Sequence, residues 1–137
     1  MKNKKPKTRL CNVCNKRKKI KEFLGSICKN GPRKGRIMYR LLCKDCTAIE
    51  RSKKKVRQRK LVSEYKASQG CKNCGFNDPR ALILHHRDPN HKFKAIATLI
   101  SMGYSDKNIK EEILKCDVLC ANCHMILHSE SPPEKRI

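Results

Sequence analysis

Cys120-Ala121-Asn122-Cys123-His124-Met125-Ile126-Leu127-His128 packs two metal-ligand spacings into one short segment. Two thiolates separated by two residues grip one ion from a tight turn, and two such knuckles complete a tetrahedral zinc site. Two histidines four apart lie on one face of a helix and can share an ion. Working outward, the Cys-x-x-Cys spacing recurs at Cys71/Cys74, Cys43/Cys46 and Cys11/Cys14. Taken in chain order, these pairs predict two structural Zn²⁺ sites, Cys11, Cys14, Cys43 and Cys46 for one and Cys71, Cys74, Cys120 and Cys123 for the other. A crossed pairing would need the two halves to interlock. Cys28 and Cys116 are left over and are read as buried or idle thiols. The basic start, Met1-Lys2-Asn3-Lys4-Lys5-Pro6-Lys7, is followed by no apolar segment and is not read as a secretory signal. A reducing compartment therefore favours zinc over disulfides.

Composition explains why metal is needed. The 137 residues hold 34 Lys and Arg against 12 Asp and Glu, a formal charge of +22, with 4% aromatics and no Trp. So few large apolar side chains cannot build a sizeable core unaided. No apolar run reaches the ~18–20 residues of a membrane span, so no membrane partner is expected. The charge is uneven: residues 1–70 carry a net +20 and residues 71–137 only +2. This points to a half that grips a polyanion and a half with another task.

The expected fold class is α+β, small and zinc-stabilised. Residues 1–10 read as a disordered basic arm. Residues 11–46 read as a Cys₄ zinc ribbon with an irregular Gly/Pro loop at 30–35 and a strand at 36–42. Residues 47–70 read as a basic linker helix stopped by Gly70, because 47–69 contain neither Gly nor Pro. Its run Lys53, Lys54, Lys55, Arg57, Arg59 and Lys60 has almost no apolar stripe, which suits a helix lying along phosphates. Residues 71–129 form the second domain, and 130–137 read as a disordered tail. Within the second domain a strand at 81–86 leads to a turn at Asp88-Pro89-Asn90. A short helix at 95–102 buries Ile96, Leu99 and Ile100. A second helix, capped by Ser105 or Asp106, turns Ile109, Ile113 and Leu114 inward.

His85 and His86 are neighbours at a strand end, so their side chains leave opposite faces. One of them could join His124 and His128 as a third ligand while the other stays uncoordinated. Such a set, with an open position and a nearby base, suits a metal-assisted hydrolase. His91 has no partner at useful spacing and is read as a surface residue.

Taken together, Cys71-x-x-Cys74, His85-His86-Arg87-Asp88-Pro89, Lys92, and Lys115 through His124 with His128 resemble the HNH endonucleases, most of all the small zinc-containing type of bacteriophages. The resemblance covers residues 65–129 or so. It implies a ββα-metal (HNH) domain, here with inserted helices, and a DNA endonuclease in the cytoplasm of a bacterial host. It implies that His85, His124 and His128 hold a catalytic divalent cation (Mg²⁺, Mn²⁺, Ni²⁺ or Zn²⁺), that His86 is the general base, and that the four cysteines are a structural zinc. The family's middle Asn falls on Lys115 here, so Asn122, Asp117 or a backbone carbonyl is expected to orient His86. Arg87 and Lys92 would hold the substrate strand, and the basic helix would grip the DNA backbone. A non-catalytic zinc-ribbon protein that binds nucleic acid, with a degenerate HNH domain, is the main rival. A ribosome-associated zinc protein is the third reading, and three Tyr and three Phe offer it little stacking surface.

Overall fold

Where a chain has few large apolar residues, short strand pairs closed by cysteine do the work of a core. The computed structural model describes residues 7–130 and divides between Lys53 and Lys54 into two units.

In the first unit β1 (Thr8–Leu10) pairs antiparallel with β2 (Arg17–Lys19), Thr8 opposite Lys19. The residues of β1 fall within the expected irregular arm, and the strand corrects that expectation; residues 1–6 of the arm lie outside the described residues. Strand β3 (Phe23–Ile27) pairs with β4 (Ile37–Cys43), joined by a loop in which Gly31 and Gly35 take positive φ. Helix α1 (Lys44–Gln69) follows Cys43 at once. The buried apolar residues here are Cys11, Phe23, Cys43 and Cys46, joined by the buried Thr47, so nearly the whole core is the cysteine cluster. Lys18 bonds Asp45 at 2.6 Å, tying β2 to the first turn of α1, where a carboxylate also suits the helix dipole.

The second unit holds the rest of α1 and then β5 (Leu82–His86), α2 (Ile96–Met102), α3 (Asp106–Ile113), β6 (Cys116–Cys120) and α4 (Ala121–Glu130). Strands β5 and β6 pair antiparallel from Leu82 opposite Cys120 to His86 opposite Cys116. Ile96, Leu99, Ile100, Ile109 and Ile113 form one buried cluster, with Leu61, Val62 and Tyr65 of α1 packed on it. Cys71, Leu82, Val118, Leu119 and Cys120 form another. Gly103, in left-handed conformation, ends α2, and the Ser105 side chain accepts from Asn108 N–H to start α3. Leu114, expected to face inward, is 66% exposed; α3 ends at Ile113, and its last turn carries Leu114 away from the core.

Helix α1 departs from the picture of a solvated cationic rod. Gln58 is buried and donates to Tyr104 O at 3.0 Å and Asp106 Oδ1 at 2.7 Å. Lys54 Nζ donates to Gly103 O at 3.0 Å and Arg57 pairs with Asp106 at 2.9 Å. These side chains hold the corner between α2 and α3. Lys54 and Arg57 are thus engaged within the protein, and of the expected phosphate-binding run Lys55 and Arg59 make no ion pair among the described residues, whereas Lys53 and Lys60 pair with Glu50 and Glu64.

The two units share one plan that sequence inspection does not show beyond the recurring Cys-x-x-Cys. In each, a knuckle is closed by a bond from the residue after its second cysteine back to the first: Asn15 N–H to Cys11 O at 2.9 Å, and Gly75 N–H to Cys71 O at 2.8 Å. Asn15 and Gly75 both take positive φ. In each, an antiparallel strand pair then ends on a cysteine, Cys43 or Cys120, that runs straight into a helix carrying the fourth, Cys46 or Cys123.

Candidate metal centres

Both cysteine groups gather as chain order predicts. The sulfurs of Cys11, Cys14, Cys43 and Cys46 lie within 4.8 Å of one another, as do those of Cys71, Cys74, Cys120 and Cys123. Cys74 and Cys120 sulfurs are 3.7 Å apart. A tetrahedron with metal–sulfur bonds of about 2.3 Å has edges of about 3.8 Å, while a disulfide needs about 2.05 Å. The donor sets therefore fit zinc. The backbone N–H groups of Cys14 and Cys43 pull the Cys11 thiol down to about 6, while the bond to Cys43 and burial push that of Cys46 up to about 12. Cys43 N–H and Cys123 N–H donate to Cys11 Sγ and Cys120 Sγ at 3.3 and 3.4 Å, the kind of outer support that orients metal-ligating sulfur.

A third group is built from imidazoles. His85 comes from the end of β5, and His124 and His128 from one face of α4; their ligand nitrogens also lie within 4.8 Å of one another. His124 and His128 Nε2 are 3.2 Å apart, close to the edge of about 3.3 Å that tetrahedral coordination with bonds of about 2.0 Å requires. The His85 ring lies 5.2 Å from that of His124 and 5.1 Å from that of His128. Burial and the neighbouring imidazoles push His85 below the ordinary histidine range, and burial with His128 does the same to His124. Neutral imidazole is the form that binds a cation. Three protein ligands leave room for a further one.

His86 leaves the strand on the other face, with Leu82 and Leu84, and its Nε2 lies 2.9 Å from Glu112 Oε1. Neither Asn122 nor Asp117 plays that part. Asn122 is exposed on α4, and Asp117 is taken by Lys72 at 2.9 Å and Arg87 at 3.2 Å. Glu112 is 2% exposed. Burial pushes its carboxyl up, but bonds from Lys115, His86 and Phe93 N–H outweigh that and hold it down at about 2. An ionised carboxylate only accepts, so the proton of this bond sits on His86 Nε2. Glu112 escapes the sequence reading, although its place on the inward face of α3 between Ile109 and Ile113 is a signal.

Arg87, expected to touch substrate, spends its guanidinium on Cys116 O at 3.1 Å, Leu114 O and Asp117, which locks the end of the strand pair. Lys92 is exposed and makes no ion pair among the described residues. His91, read as partnerless, bonds Asp88 Oδ2 through Nδ1 at 2.5 Å in the turn at Pro89–His91. Cys28 is half-buried and Cys116 buried, both outside the clusters. No helix among the described residues is long and apolar enough to cross a membrane. No family model, curated protein or solved structure matches this chain.

Proposed function

We propose that the chain is an HNH-like, metal-dependent DNA endonuclease that hydrolyses phosphodiester bonds. The observation that carries this reading is the convergence of His85, His124 and His128 beside, yet separate from, a complete cysteine cluster. A second structural zinc would have no need of an all-imidazole set with room for another ligand. A divalent cation bound there supplies a Lewis acid for the scissile phosphate and the leaving oxygen. His85, His124 and His128 would hold it. His86, fixed by Glu112, offers Nδ1 to take the proton of an attacking water. Adjacent residues at the strand's end put the two imidazole functions on either side of that end, where one phosphodiester can be approached from both. Half-buried Lys55 and exposed Arg59 supply backbone contacts, giving salt-dependent and largely sequence-independent binding.

The half-buried position of His86, with Nε2 held by Glu112, favours the second reading, a nucleic-acid-binding protein without catalysis. Supercoiled plasmid separates the two. Wild type, His86→Ala and His124→Ala are incubated with Mg²⁺, Mn²⁺, Ni²⁺ or Zn²⁺, with chelator as control. The expected result is cleavage by the wild type, with losses of about 10²–10⁴-fold in His86→Ala and at least as large in His124→Ala, both variants retaining two zinc ions. Equal rates in all three proteins, or no cleavage by the wild type with any of these ions, would overturn the nuclease.

A further inference from the structure

Against the face of β5 that carries His86 lies a cavity of about 450 Å³ between α1 and α2. Its floor is apolar: Val62, Leu84, Ile96 and Ile100. Three cations line it, Arg59, Lys66 and Lys92, and no Asp or Glu does. Among the described residues none of the three has a carboxylate within ion-pairing distance.

Lys66 is the telling one. Its ammonium donates to Pro79 O at 2.6 Å and Leu82 O at 2.7 Å, so it pins α1 to the approach to β5 with neutral acceptors alone. Burial pushes its pKa below the ordinary lysine value, as expected of a cation taken from water without a counter-charge. An anion entering the cavity would meet a wall that carries Arg59, Lys66 and Lys92 and no carboxylate. Inorganic phosphate would leave most of the space and the whole apolar floor unused, since cavities of about 300–1,000 Å³ suit a small organic ligand. The complementary ligand has an anionic end and a flat, weakly polar body.

We propose that this cavity binds a nucleotide, its phosphate on Arg59 and Lys92 and its base and sugar over Val62, Leu84, Ile96 and Ile100. The site deepens the nuclease reading, because a nucleotide of the substrate strand seated here would lie beside His86, but its test does not depend on cleavage. Ser63 from α1 also lines the wall and supplies a hydroxyl for the sugar or base.

The full chain labelled with ¹⁵N is titrated with thymidine 5′-monophosphate, with thymidine, and with inorganic phosphate. Saturable amide shifts are expected at Ser63, Lys92 and Ala97 with the nucleotide, and affinity about tenfold or more weaker for either fragment, since each meets half of the site. Arg59→Ser with Lys92→Ser should weaken the nucleotide by about tenfold or more. Ala97→Trp, an exposed position at the cavity's edge, should abolish the shifts by filling the space while the rest of the spectrum stays folded. A short single-stranded oligonucleotide that binds tighter than the mononucleotide, with the same residues shifting, assigns the site to a nucleic-acid strand; equal or weaker binding assigns it to free nucleotides. No shifts at these residues with nucleotide or oligonucleotide, or shifts confined to His85, His124 and His128, would overturn the proposal. If the shifts appear and plasmid remains intact with every metal, the nuclease falls and the nucleotide site stands.

Discussion

Replacing Cys120 by Ser is expected to release one of two bound zinc ions and to abolish cooperative melting of residues 54–137. The size of the effect follows from how little else holds this unit. Cys120 and Cys71 sit in the same buried cluster as Leu82, Val118 and Leu119, so the metal centre and the apolar packing around the strand pair are one object. Structural zinc contributes about 10–16 kcal/mol to small metal modules near pH 7, against a total stability of about 5–15 kcal/mol for an ordinary domain. Losing one thiolate of four therefore threatens the whole unit. Metal content measured with a colorimetric chelator, beside a thermal melt followed by circular dichroism, checks the outcome. Cys28→Ser, at a half-buried thiol outside both clusters, should keep two zinc ions and an unchanged melt. A Cys120→Ser protein that melts like the wild type with two ions bound would show that the apolar clusters suffice.

That dependence on local chemistry also explains which features are legible in the sequence. Ligand spacing is a short-range property, so the membership of both cysteine groups and the pairing of His124 with His128 follow from residue intervals, whereas the intervals leave His85 and His86 equivalent as the third imidazole. Helix α2 is visible because Ile96, Leu99 and Ile100 repeat with the period of a buried helical face and Gly103 ends it. Strands β1 and β2 are not, because Thr8-Arg9-Leu10 and Arg17-Lys18-Lys19 have no apolar alternation; their pairing is imposed by the knuckle at Cys11 and Cys14 that lies between them. The common plan of the two units is hidden by α2 and α3, which stand between β5 and β6 and have no counterpart between β3 and β4. Inside the second unit, the roles of Arg87 and Glu112 depend on contacts distant in sequence. Arg87 looks free because nothing near it in the chain shows that Leu114 O, Cys116 O and Asp117 will converge on it. Glu112 looks like one charge among several until the packing of α3 sets it against His86 and Phe93.

Glu112 is accordingly the single side chain whose loss should cost most outside the cysteines. Glu112→Ala would leave the His86 Nε2–H and the Phe93 N–H without their buried acceptor, and would deprive Lys115 of its 2.8 Å partner. Orphaned buried donors cost about 1–3 kcal/mol each, so a loss of about 2–4 kcal/mol is expected in denaturant unfolding. The carboxyl's folded pKa of about 2 lies below its ordinary 4.5. A depressed acid contributes stability that is complete above the unfolded value and fades as pH falls from about 4.5 toward 2. The gap between wild type and Glu112→Gln should therefore be widest above pH 5 and narrow on acidification. Taking the difference between the two proteins removes the acid sensitivity that they share through their thiolates and other carboxylates. A gap that stayed constant or widened on acidification would mean that Glu112 is not ionised against His86 and Lys115. The same variant tests the arrangement of the imidazole. The amide oxygen introduced by Glu112→Gln can still accept from Nε2–H but carries no charge, so it should hold the ring near its native tautomer, visible in the ¹⁵N shifts of His86, while Glu112→Ala frees it. In a cleaving enzyme, Glu112→Gln should then lower kcat with little change in KM, and Glu112→Ala should lower it further.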